Sequence, residues 1–303
     1  MADAFDSQVN FTLGAARGVV FRQIVQVGES VAQAVGIPYE AKNKYKVALL
    51  PEGKLVGDSP GDRKRWKPTG PELEALDTFL FAQEESTLLT RLCFNFLGLG
   101  NLRPLTLHFR VGNRDGDVFV VRRPFQCGGW VGCPLEMPLH ARGQDGSECL
   151  VGRVREDFDD YLSRFAAACC ACTFYHSIEV AQPSATPEPA GGGGGGGGGN
   201  FRKVYSLRAN ACCCGRVNNC CGATCCCNDM VFDVLDSDGR VVAHLQKTYA
   251  TAPCCAALFR CCYMFNNYTM DFPAGSTPEE RALLLTAIFQ LDYQLFEKKG
   301  GDS

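Results

Sequence analysis

Polar and apolar residues alternate along most of this chain. In "LTLHFRV", residues 105–111, Leu105, Leu107, Phe109 and Val111 fall on one side, and Thr106, His108 and Arg110 on the other. That is the period of a strand with one face buried. A polar turn at Asn113 to Gly116 follows, and then a second alternating run. The same unit recurs at 44–57 around Pro51-Glu52-Gly53, at 135–154 around Asp145-Gly146 and at 230–247 around Asp238-Gly239. Asp-Gly between alternating runs is the strongest short-range hairpin signal. The units predict a meandering antiparallel sheet or barrel, and therefore a mainly β chain. Helix is predicted for 70–92 and for the C-terminal stretch.

That stretch begins "STPEERALLL" and carries its own start signal. Thr277 can cap, Pro278 suits the first helical position, and Glu280 completes a capping box. Lys298 and Lys299 complement the dipole at the far end, and Gly300 stops the helix. From Pro278 to Lys299 it would run roughly 30 Å, at 1.5 Å per residue. The length would span a bilayer, but the content would not. The uncharged run reaches only from Ala282 to Leu291, and Asp292 and Gln294 follow. A mid-membrane Asp costs about 3 kcal/mol, and a span needs about 20 mostly apolar residues. With apolar residues on nearly every face, a buried core helix is predicted, filled by Leu284, Leu285, Ile288, Phe289, Leu295 and Phe296.

The totals of 303 residues, 46% hydrophobic and 21% charged, suit a globular protein with a core, and a net charge of −3 gives no global bias toward nucleic acid or anionic lipid. No apolar signal-peptide region is visible at the N-terminus. The 19 cysteines are therefore expected as thiols in a reducing compartment. Most fall in adjacent runs, which pair only under strain. The segment 181–200 is Pro-rich and ends in nine glycines, so a flexible loop is expected there. Residues 1–20 are expected as a flexible N-terminal segment, 21–299 as a single domain interrupted by that loop, and 300–303 as a tail.

Catalytic constellations are missing. His108, His140, His176 and His244 fall on predicted strands, away from any nucleophile motif, and the glycine run lacks the Lys and strand-helix context of a phosphate loop. A protein without a chemical step is expected. Arg63, Lys64, Arg65 and Lys67 flank Trp66 in "GDRKRWKPTG". Such a loop can sit on anionic lipid, at about 1 kcal/mol per basic residue, or simply be a solvated surface loop. It is too short to argue for nucleic acid.

Four stretches, in order, are similar to the phospholipid scramblase family. They are "NKYKV" at 43–47, "RPLTLHFRVGNRDGDVFVVRRPFQC" at 103–127, "CCCNDMVFDVLDSDGRVVAHLQK" at 225–247, and "NNYTMDFPAGSTPEERALLLTAIFQLDYQLFE" at 266–297. The resemblance implies a closed, antiparallel, twelve-stranded tubby-like barrel around the C-terminal helix. It implies palmitoylated cysteines docking the protein on the cytosolic face of the plasma membrane. It also implies calcium-triggered, ATP-independent, bidirectional movement of phospholipids between leaflets. The alternative is a membrane-tethered tubby-like module that binds lipids or protein partners and transports nothing.

The chain departs from the family in two places. Of the family's five-cysteine acylation cluster only Cys127 and Cys133 remain. Runs appear instead at Cys212, Cys213, Cys214, Cys220, Cys221, Cys225, Cys226 and Cys227. Acylation of these is one reading, because several chains anchor where one binds only marginally. Zinc ligation and compositional drift are the others, with Cys169-x-x-Cys172 standing alone as a ligand-like pair. The family's calcium loop has lost its alternating carboxylates, leaving Asn266, Asn267 and an out-of-register Asp271 as candidate calcium ligands. A plain turn before the helix explains the same residues. "DSDG" at 236–239 is explained by a hairpin turn.

Overall fold

The strands predicted by alternation pair in one continuous ring. The structure, a computed structural model, describes residues 5–24, 44–57, 65–85, 103–112, 116–125, 134–143, 146–158, 173–182, 200–210, 230–248 and 267–296. Among them are β1 (Gly18–Ile24), β2 (Lys44–Leu49), β3 (Thr78–Glu85), β4 (Leu105–Val111), β5 (Phe119–Arg123) and β6 (Glu136–Arg142). The ring continues with β7 (Glu148–Glu156), β8 (Thr173–Ala181), β9 (Phe201–Asn210), β10 (Met230–Leu235), β11 (Val241–Thr248) and β12 (Asn267–Asp271). Each strand pairs with the next, and β12 closes on β1 from Gly18↔Asp271 to Arg22↔Asn267. Closure removes the unpaired edges that an open sheet would expose.

Inside lies the C-terminal helix, here α3 (Pro278–Leu291), continued by a π-helical turn at Asp292–Phe296. Every residue from Arg281 to Leu291 is buried. Phe289 sits at the centre, edge-on to Phe21, Tyr45 and Phe109 with ring centroids 4.6, 5.0 and 5.1 Å away. Leu284, Leu285 and Ile288 are wholly buried beside it, so the helix is core, as its all-round apolar surface predicts. Leu295 and Phe296 lie in the π turn, with side chains outside the described residues. One wall position must be glycine for this packing. A Cβ on Gly152 of β7 would meet Glu179 O at 2.2 Å and Leu283 Cδ1 at 2.8 Å.

The capping box at Thr277 and Glu280 is formed as expected. Toward its far end the helix changes type. The regular α-helix stops at Leu291 and goes on as the π turn to Phe296, because Asp292 and Tyr293 turn to polar partners on the wall; residues 297–299 lie outside the described residues. Such π turns recur where a helix must redirect side chains.

Three further expectations are corrected. Residues 5–20, the described part of the expected flexible segment, are structured: α1 (Ser7–Ala15) is capped by Asp6, and β1 starts at Gly18. Phe5, Val9 and Leu13 recur every four residues and are buried, with Phe5 edge-on to Phe119 at 5.9 Å. In the described part of the helix expected at 70–92, only α2 (Gly70–Glu74) is helical, and β3 follows; residues 86–92 lie outside the described residues. Thr78, Phe79 and Phe81 favour strand, and Leu80, Ala82 and Glu84 alternate inward. The unit at 44–57 is no hairpin, since β2 ends at Leu49 and pairs with β1 and β3. The turns at Gly116, Gly146 and Gly239 do join β4 to β5, β6 to β7 and β10 to β11. The Pro/Gly segment falls between neighbouring strands, where Ala181 pairs with Phe201; residues 183–199 themselves lie outside the described residues.

Candidate functional site

In an antiparallel meander every second connection leaves from the same rim. The ends of β1, β3, β5, β7, β9 and β11 and the starts of their successors share the rim where α3 exits. There the barrel interior changes from apolar to polar. Tyr268 donates its hydroxyl to Asp292 Oδ1 at 2.7 Å, and Tyr45 donates to Oδ2 at 3.3 Å. The next residue, Tyr293, donates to Glu84 Oε2 at 3.0 Å. Glu84 also pairs with Arg103 at 3.1 Å, both side chains having no solvent exposure. The guanidinium groups of Arg103 and Arg123 lie 5.8 and 5.1 Å from the Tyr293 ring. Arg123 Nε donates to the Arg103 carbonyl at 3.0 Å.

On the facing side, Gln294 donates to Glu156 and accepts from His176 Nε2 at 2.7 Å. Leu135 N donates to Glu156 Oε2 at 2.9 Å, and Gln290 donates to the Leu135 carbonyl at 3.1 Å. Burial, reinforced by the neighbouring Tyr293 hydroxyl and Asp292, holds the Tyr45 phenol far above its usual range. Burial likewise keeps His176 below the ordinary imidazole range. Carboxylates that each accept from hydroxyl, amide or guanidinium donors hold a helix end in place; they do not present a nucleophile. The polar residues that weigh against a membrane span, Asp292 and Gln294, are the clamp.

Two of the three candidate calcium residues are not brought together. Asn267 and Asp271 sit four positions apart on β12, about 13 Å at the strand rise. Asp271 Oδ1 accepts from His244 N at 2.6 Å, and burial pushes its carboxyl up, away from the charged form a cation needs. Asn266 lies outside the described residues. The pair does not fit a calcium ion, and among the described residues no group of three metal-ligating side chains occurs. Asp236 of "DSDG" accepts from Arg240 N and Asp238 N, both at 2.9 Å, as a hairpin turn requires.

The membrane-surface loop is corrected in part. Arg65 and Trp66 are buried, at 8% and 9% exposure, and Trp66 packs with Val20, Leu50 and Leu73 on the outside of β1 and β2. Lys67 is exposed; Arg63 and Lys64 lie outside the described residues. Trp66 is a packing residue because a small apolar cluster on the outer wall needs a cover. The candidate anchors Cys127, Cys133, Cys212, Cys213, Cys214, Cys220, Cys221, Cys225, Cys226 and Cys227 lie outside the described residues. The strands that flank them in sequence, β5 and β6, β9 and β10, have their facing ends on the helix-exit rim. No described helix is long and apolar enough to cross a membrane.

Sequence reasoning missed Glu84, Arg103, Arg123 and Glu156 at the helix clamp. A signal was available for one of them, since Glu84 interrupts the inward apolar face of β3. A family model described as Scramblase matches residues 168–298, the stretch from β8 through the π turn. No curated protein and no solved structure matches the chain.

Proposed function

Because a family model described as Scramblase matches residues 168–298, we propose that this chain is a member of the phospholipid scramblase family and acts at phospholipid membranes from their surface, moving phospholipids between leaflets in both directions without ATP. The observation that carries this is the family match over the strands and helix of the C-terminal half. Attachment at the cytosolic face of the plasma membrane would come from acyl chains on the cysteines between β5 and β6 and between β9 and β10 in sequence, supplemented by anionic lipid under the exposed Lys67. Thioester-linked acyl groups should then appear by mass spectrometry on protein isolated from its own cells. Any calcium trigger would have to work through residues other than Asn267 and Asp271.

A second reading is favoured by one specific feature: α3 fills the barrel interior and is clamped at its exit. A plugged barrel suits a tethered module that binds lipids or protein partners and leaves transport to others. Reconstitution into vesicles carrying a fluorescent lipid separates the two. Scrambling lets dithionite bleach beyond the outer leaflet's share; bleaching that stops there in vesicles shown to contain the protein supports the module.

A further inference from the structure

One place on the outer wall combines polarity with complete burial. Gln246 and Thr248 of β11 pair across the sheet with Thr269 and Asn267 of β12. All four point away from the core face that carries Leu245, Tyr268 and Met270. Yet Gln246, Thr248, Asn267 and Thr269 are only 0%, 2%, 1% and 1% exposed. Gln246 Nε2, Thr248 Oγ1, Asn267 Oδ1 and Thr269 Oγ1 all lack a hydrogen-bond partner. Buried polar atoms are satisfied about nine times in ten, so four orphans side by side mark a place built for a polar guest.

The chemistry of the floor selects that guest. Strand geometry sets the four groups at the corners of a rectangle about 4.8 by 6.7 Å. Gly57 N donates to Gln246 Oε1 at 3.1 Å, which fixes the amide with its nitrogen as the free donor. Two hydroxyls that give and take, one amide donor and one carbonyl acceptor carry no formal charge. Arg22, opposite Asn267 on β1, is already paired with Glu74 at 2.9 Å. A divalent cation would find no carboxylate here. A phosphate, mostly an acceptor, would leave Asn267 Oδ1 empty. Several neighbouring hydroxyl groups answer all four atoms.

We propose that the outer face of β11 and β12 is a binding site for a neutral polyol, free or carried as a lipid headgroup, with Gly57 against Gln246 and the Arg65 stem behind Gly57 as a roof at that end. The roof can open without disturbing the core. The Arg65 stem lies against Gly57, where an added Cβ would come within 2.7 Å of Arg65 Cβ. Beside it, Trp66 belongs to a small apolar cluster separate from the main one. Satellite clusters of this kind open locally at lower cost than the core.

The test uses the purified full-length chain. Thermal unfolding is followed against increasing myo-inositol. Co-sedimentation is measured with phosphatidylcholine vesicles containing either phosphatidylinositol or the same fraction of phosphatidic acid. A free-polyol site gives a saturable rise in Tm with myo-inositol. A headgroup site gives preference for phosphatidylinositol over phosphatidic acid vesicles. In Thr248→Val/Thr269→Val, two hydrogen bonds are lost and either response weakens about tenfold or more. No saturable rise together with no vesicle preference in the wild type overturns the proposal, leaving only ordered water at the four atoms. Equal responses in wild type and variant overturn it as well.

Discussion

Asp292→Ala is the sharpest probe of how the helix is held. The carboxylate accepts from Tyr268 at 2.7 Å and from Tyr45 at 3.3 Å, in a site 3% exposed. Removing it strands two buried hydroxyls. A hydrogen bond to a charged group contributes about 1.5–3 kcal/mol, and the longer of the two belongs at the low end. The expected loss is about 3–5 kcal/mol, the range seen when one partner of a buried charged network is deleted. Tyr268→Phe removes only the shorter bond and should cost about 1.5–3 kcal/mol. Because both variants delete that same bond, the double variant should fall short of additivity by about 1–2 kcal/mol. Urea unfolding followed by circular dichroism measures all three. A loss below about 0.5 kcal/mol for Asp292→Ala, within the range of an ordinary surface substitution, would refute the clamp. Full additivity in the cycle would refute the pairing of Asp292 with Tyr268.

Three further outcomes follow from buried charged and titratable groups. Arg281 Nη1 donates to the carbonyls of Leu13, Gly14 and Ala16, closing the C-terminal end of α1, so Arg281→Ala should raise amide exchange across Ser7–Ala15 while the strands keep their protection, and Arg281→Lys should rescue little because an ammonium lacks the planar fork. For pH, burial opposes the charged form of Asp117, but bonds from His108 and Arg110 outweigh it and hold the carboxyl below its usual 3.8. A depressed folded value means stability that is present above pH 3.8 and lost as pH falls through the lower folded value, so Asp117→Asn should flatten the acid limb of a stability–pH curve. His176, held below 6.5 by burial, binds its proton more readily when unfolded, so stability should also decline as pH falls from 6.5 toward its lower folded value, and His176→Gln should remove that slope.

What could be read in advance follows from which interactions are local. The alternation of Leu105, Leu107, Phe109 and Val111 is a two-residue period, and their burial on β4 repeats it residue by residue. The start of α3 was equally legible, because Thr277, Pro278 and Glu280 interact within one turn. The failures share the opposite property. At 70–92, a genuine capping box at Thr69 and Glu72 announced a helix whose length depended on what came next. There the pairing of Leu80 with Val47 on one side and Val111 on the other overrode the helical reading. The N-terminal segment looked featureless because its partners, Phe119 and Arg281, are more than a hundred residues away.

The same distinction explains what the sequence leaves open at three residues. Asp292, Asn267 and Trp66 are each ambiguous in sequence: a carboxylate on a greasy helix, an amide before a helix, an indole among basic residues. Burial decides between their roles, and burial is a long-range property. Asp292 is a clamp because Tyr45 and Tyr268, far apart in the chain, meet around it. Trp66 is a cover because β1 and β2 present Val20 and Ala48 on their outer face. Asn267 belongs to an uncharged floor because the β11–β12 register sets Thr248 beside it and Gln246 beside Thr269. The helix's fate links these to function. A tail buried by Tyr45, Phe21 and Phe109 and tied at its exit cannot also serve as a transmembrane anchor without breaking the clamp. Membrane contact therefore falls to the surfaces and rims of a closed barrel, and the vesicle experiment then asks whether such a surface alone moves lipid.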